Sequence, residues 1–173
     1  MKLLMTSVIF LLALPVQLLA SDWHSSSISL EQPSEIIVYR SPDCVCCHKW
    51  IDHLEEHQFT VIDELRNDMF SVKQELGLPL HVASCHTAVV NGYLIEGHVP
   101  ANDIKRLIRD APTSIKALSV PEMPVGTPGM EMGTRKDDFA VIAIDHHDKS
   151  SIYNVYTVNP FTKTYQSALA DTD

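Results

Sequence analysis

Ile36-Ile37-Val38-Tyr39-Arg40-Ser41-Pro42-Asp43-Cys44-Val45-Cys46-Cys47-His48-Lys49-Trp50-Ile51 passes from a strand to a helix through a group of cysteines. Ile36 to Tyr39 is a β-branched and aromatic run, which predicts a short buried strand. In Ser41-Pro42-Asp43 the serine or the aspartate is placed to cap a helix that begins near Cys44. Cys47, Trp50, Ile51 and Leu54 then recur at i, i+3, i+4 and i+7, one apolar helical face, while Lys49, Asp52 and Glu56 point elsewhere. Cys46 points about 100° around the axis from Cys47. Unpaired amides and the dipole at a helix start stabilise negative charge, so cysteines placed there are biased toward thiolates.

Working outward, Phe59 to Ile62 predicts a second strand. Asn67 or Asp68 opens a helix through Met69, Val72 and Leu76, and Gly77 is placed to end it. Thr87 to Val90, Asn91-Gly92 and Tyr93 to Glu96 form a hairpin signal, since Asn-Gly accepts the positive φ values of a type I′ turn. Ile104, Leu107 and Ile108 mark a third helix, opened between Pro100 and Asp103. The order β-α-β-α-β-β-α predicts an α/β, thioredoxin-like fold. From about residue 112 the texture changes to a Met/Pro/Gly-rich loop, Val120 to Gly133, and then to two expected strands, Phe139 to Ile144 and Ile152 to Val158. This C-terminal β extension is expected to pack on the core, within one domain over 35–173.

Composition narrows the function classes. The chain has 173 residues, of which 45% are hydrophobic, enough to fill a proper core. Its formal charge of −9, with no basic run, argues against nucleic acid as a partner. Residues 1–20 predict a cleaved secretory signal: Lys2, an apolar run from Leu3 to Leu14, Pro15, and Ala20 before the cut. Residues 21–34 are a polar lead-in. No other segment approaches membrane-spanning length. The expected location is the periplasm, where thiols oxidise unless something holds them.

All four cysteines of the chain take part in the chemical argument. Cys44, Cys46 and Cys47 give C-x-C-C, with a C-x-x-C inside it. Cys85, in Ala83-Ser84-Cys85-His86-Thr87, precedes the third strand. In a thioredoxin-like arrangement that loop faces the C-x-x-C helix, so all four sulfurs are expected to converge, with His86 and His98 among the candidate neighbours. Thiolates with thioethers favour Cu(I), and Met123, Met130 and Met132 sit in a loop with little core to fill. Zinc makes little use of thioether sulfur and is the lesser alternative.

Four linked motifs resemble the CopG-type periplasmic copper-resistance proteins: Tyr39 to Cys47, Ser84-Cys85-His86-Thr87-Ala88, Glu96-Gly97-His98-Val99-Pro100, and Gly126-Thr127-Pro128-Gly129-Met130-Glu131. The resemblance implies a thioredoxin-like domain whose Cys44, Cys46, Cys47 and Cys85 hold several copper ions in a thiolate-bridged cluster, with a redox role in copper detoxification. Val45 stands where glycine is common, Glu122 replaces a glycine and Thr127 a serine; none of these removes a sulfur.

Other readings stay open at this point. Cys44 and Cys47 suit a thiol–disulfide oxidoreductase. A chaperone that only sequesters metal, or a pair of structural disulfides, fits the same residues less well. Other copper-handling or efflux proteins are candidate partners. Trp50 is expected beneath the cysteine helix. His53 and His57 are expected on a solvated helix face and His146-His147 in a solvated turn, while His81 is ambiguous between loop and site.

Overall fold

Strand β1, Ser34–Arg40, alternates buried residues with exposed or half-buried ones, with Ser34, Ile36, Val38 and Arg40 turned inward. The computed structural model describes residues 22–24 and 28–169. The secretory signal expected over 1–20 lies outside them. After β1 come α1 (Val45–Glu56), β2 (Phe59–Leu65), α2 (Met69–Glu75), β3 (Thr87–Val90), β4 (Tyr93–Glu96) and α3 (Ala101–Asp110). Strands β5 (Ile115–Ser119), β6 (Phe139–Asp145), β7 (Ser150–Val158) and β8 (Tyr165–Ser167) complete the order. The β-α-β-α-β-β-α succession read from hydrophobic periodicity is therefore present from β1 to α3.

All eight strands form one sheet in the order β2-β1-β3-β4-β5-β6-β7-β8. β1 runs parallel to β2 and antiparallel to β3, and β4 runs parallel to β5. Trp50, Ile51 and Leu54 of α1 and Ala101, Ile104 and Leu107 of α3 share one core with Ile36, Val38, Ala88, Ile95 and Leu118 of the sheet. Leu94, Ala117 and Ile144, each next in sequence to a residue of that core or one beyond it, join Leu78 and Val82 in a second cluster. Adjacent strand residues point to opposite faces, so the sheet is covered on both sides.

Local signals account for most boundaries. Asp68 caps α2 by accepting from the Ser71 amide. Asn91 and Gly92 have φ of 47° and 83°, the left-handed values that a two-residue hairpin turn requires. The N-cap of α1 differs from expectation: it is Cys44, with no side-chain capping bond, so neither Ser41 nor Asp43 has that role.

Three features depart from the sequence reading. β5 and β8 carried no clear strand signal; each is short, β5 being held between β4 and β6 and β8 at the sheet edge beside β7. Trp23, in the expected polar lead-in, is buried against Phe139, Tyr156 and Tyr165, and its Nε1 donates to Gly126 O at 2.8 Å. His53 and His57 are buried rather than solvated. His53 Nε2 accepts from the Ala101 amide at 3.1 Å, and the His57 ring meets the Trp23 carbonyl. A histidine can be buried on a helix when the next layer supplies a hydrogen-bond partner for its ring.

Candidate metal centre

The topology explains why distant residues meet. Tyr39 near the end of β1 pairs with Thr87 at the start of β3, and Thr87 pairs with Glu96 at the end of β4. The cysteines after β1, the Ser84–Cys85–His86 segment before β3 and the Gly97–His98 segment after β4 therefore emerge on one side of the sheet. The Sγ atoms of Cys44, Cys46, Cys47 and Cys85 all lie within 4.8 Å of one another. Cys44 and Cys47 are joined as a disulfide, with their Cα atoms 5.3 Å apart, while Cys46 and Cys85 are free. Cys46 Sγ lies 3.6 Å from Cys44 Sγ. Cys47 is fully buried on the apolar face of α1, whereas Cys44, Cys46 and Cys85 are half-buried.

Cys85 also belongs to a second group. Its Sγ is 3.2 Å from His86 Nδ1 and 3.2 Å from His98 Nε2. His98 Nδ1 lies 2.8 Å from the Pro128 carbonyl and donates to it, which leaves the Nε2 lone pair aimed at the sulfur. Burial holds His98 down at about 4, against the opposing pull of the Pro128 bond. Burial pushes the Cys85 thiol up to about 12, with the nearby Cys46 sulfur adding to the rise. Cys85 is thus a thiol facing neutral imidazole, and a soft metal ion taken up there would have to replace its proton.

His86 is fully buried, its ring lying tilted against Trp50 with the centroids 4.3 Å apart, and is held neutral by that burial. Its Nε2 has no hydrogen-bond partner among the described residues. A buried imidazole with one nitrogen on sulfur and the other unmatched is poorly served by the metal-free arrangement. Trp50 lies beneath the cysteine helix as expected, its Nε1 donating to Val99 O at 2.9 Å.

The methionine loop reaches the site through its backbone. Gly129, at φ +82°, lies so close to α1 that a Cβ there would stand 2.7 Å from Trp50 N and 2.8 Å from Cys46 O. Only glycine fits that approach. Met130 follows it and is half-buried. Ser84 Oγ donates to the Glu122 carbonyl, which ties the residue before Met123 to the Cys85 loop. Met123 is 50% exposed and Met132 63% exposed. Of the remaining histidines, His48 is exposed beside the cluster, His81 is exposed and contacts Ser150, and the His146 ring meets the Thr113 carbonyl.

A buried polar group behind Cys85 had no clear sequence signal. Glu96 is fully buried and pairs with buried Lys73 at 2.6 Å. The available clue was a lysine beside Val72 on the apolar side of a short helix, where a charge needs a partner.

Residues 82–130 match the family described as a protein of unknown function, DUF411. No curated protein matches the chain. Among solved structures, one named copper resistance protein CopG, form 2, is 42% identical, with a TM-score of 0.69 over 73% of this chain and 100% of that one. The same protein in form 1 is 43% identical, with a TM-score of 0.68 over 72% of this chain and 98% of that one.

Proposed function

The chain belongs to the family of the copper resistance protein CopG, and on that premise we propose that it binds copper through Cys44, Cys46, Cys47 and Cys85. The convergence of the four Sγ atoms within 4.8 Å carries this reading. The donor set fits the ion: thiolate and thioether sulfur suit Cu(I), and neutral imidazole suits either oxidation state. His86 Nδ1 and the His98 Nε2 lone pair, each 3.2 Å from Cys85 Sγ, point the same way. Sulfurs this close together suit the bridging of several ions better than a single tetrahedral site, so zinc is the weaker ligand match. Met123, Met130 and Met132 are the thioether donors in this proposal.

The finer activity we infer is exchange between Cu(I) and Cu(II) during copper resistance in the periplasm. Reduction of two Cu(II) ions to two Cu(I) requires two electrons. Joining the Cys44 and Cys47 thiolates as a disulfide, as recorded in the structure, releases that number and leaves Cys46 and Cys85 as the thiolate ligands, so four-sulfur binding belongs to the reduced pair. The strand order β2-β1-β3-β4, with the C-x-x-C at the start of α1 and Cys85 two residues before β3, supports a thioredoxin-like reading of the fold. The same disulfide favours a second reading, thiol–disulfide exchange without metal, in which half-buried Cys44 rather than fully buried Cys47 is the attacked sulfur.

Metal analysis of protein purified from copper-grown cells, combined with a free-thiol count, separates the two. The expected result is several copper ions per chain with metal-masked thiols, unchanged by competing zinc. Metal-free protein that reduces insulin disulfides, and loses that activity in Cys44→Ser but not in Cys85→Ser, would establish the second reading instead.

A further inference from the structure

Cys85 sits on a short irregular segment, yet its sulfur and two imidazoles are matched to a few tenths of an ångström, at 3.2 Å each. Metal sites need their ligands held to about half an ångström by surrounding groups. No cis peptide occurs among the described residues, and Pro79 is the nearest preceding proline in the sequence, so the hold comes from elsewhere.

We propose that Glu96, with Lys73 and Thr87, forms a buried clamp that positions Cys85, a role that rests on the copper reading above. One carboxylate grips the chain on both sides of the Cys85–His86 pair. Its Oε1 accepts from the Ser84 amide, the residue before Cys85, and its Oε2 accepts from Thr87 Oγ1 at 2.6 Å. Lys73 Nζ, from α2 behind the sheet, donates to Glu96 Oε1 at 2.6 Å and to Thr87 Oγ1 at 2.9 Å. The Gly97 amide donates to the His86 carbonyl at 3.0 Å, extending the same hold by one residue. Gly97 itself is packed so tightly that a Cβ would stand 2.6 Å from Ser84 Oγ.

A fully buried ion pair seldom stabilises a fold more than an apolar pair of the same volume, because desolvation offsets the attraction. What such a pair supplies is direction, and here its side-chain bonds outside itself fall on Ser84 and Thr87, the residues flanking the Cys85–His86 pair. Lys73 and Glu96 are positioning residues, since neither is placed to touch metal.

The test compares Glu96→Gln, Thr87→Val and the conservative Lys73→Arg in the full chain. The readouts are the alkylation rate of Cys85 in the reduced, metal-free protein, measured by peptide mass spectrometry, and the copper bound per chain. Removing one charge-assisted bond should free the segment, so Cys85 alkylation is expected to rise about tenfold in Glu96→Gln. The copper count should fall toward that of Cys85→Ser, while Lys73→Arg stays near wild type. Thr87→Val, which removes one grip without touching a charge, should show an intermediate rise and reads the clamp if Glu96→Gln fails to fold. Lower melting temperatures with wild-type alkylation of Cys85 in both variants would overturn the proposal. Wild-type protein that binds no copper would remove the copper reading alone, because the alkylation comparison decides the clamp independently.

Discussion

Cys85 is the residue on which the two candidate ligand groups meet, shared between three helix-start sulfurs and two buried imidazoles. Its thiol, pushed up to about 12 by burial, carries a proton at neutral pH. Copper binding therefore has to release that proton. Titration of reduced protein with Cu(I) in weak buffer at pH 7 should liberate protons, and Cys85→Ser should liberate at least one fewer per chain and bind less copper. Cys46→Ser should also lower the copper count, because Cys46 lies in the same 4.8 Å group outside the disulfide. Unchanged stoichiometry in Cys46→Ser would break the cluster reading. The cysteines and His86 and His98 were legible from motif spacing, since helix starts and strand ends bring short segments together. The Lys73–Glu96 pair was not, because a buried charge is recognised only through the partner that neutralises it.

At the scale of elements, α1 presents cysteines at its start and histidines further along, and the two ends work differently. His53 accepts from the Ala101 amide, which opens α3. Burial holds His53 well below its ordinary value, and holds His57 down as well. The unfolded chain binds protons at both positions near pH 6.5, whereas the folded chain resists them. Their contribution is thus complete above the unfolded value and declines as pH falls below it. Each group adds a slope of at most about 1.4 kcal/mol per pH unit. Glu96, raised by burial, acts in the opposite sense. Urea midpoints of the metal-free protein should be lower at pH 5 than at pH 7.5, and His53→Gln should narrow that difference. An equal pH dependence in His53→Gln would show that protonation of His53 does not contribute to the loss of stability at low pH. Periodicity placed α1, but it could not show what packs on its outer edge, and so the histidines read as solvated.

For the whole molecule, the eight-stranded sheet joins the N-terminal β-α-β-α-β-β-α region to β5–β8, and α3 is the fastener. Asp103 is fully buried and accepts from Arg106 at 3.0 Å, Asn154 at 2.9 Å and Tyr156 at 2.8 Å. The last two lie on β7, so this one carboxylate ties the helix to the C-terminal strands. Breaking a buried pair costs about 3–5 kcal/mol, and in a chain of this size each kcal/mol lowers the melting point by about 2–4 °C. Asp103→Ala should therefore melt roughly 6–20 °C lower, with Asp103→Asn between it and wild type. A shift within about 2 °C would mean that the strands are held by their apolar contacts alone. No helix of the described residues is long and apolar enough to cross a membrane.

By itself the sequence determined the element order from β1 to α3, the Asn-Gly hairpin, the opening of α2 at Asn67 or Asp68 and the expectation that the four sulfurs converge, because each follows from local periodicity, turn chemistry or the short distance between strand ends. Only the tertiary structure decided that Gly129 lies against the backbone of Cys46 and Trp50, that His53 and His57 are interior, and that a Lys73–Glu96 pair stands behind Cys85. Those facts depend on contacts between residues far apart in the chain. No local pattern encodes them, since burial and partnership are properties of the packed layers and not of any one segment.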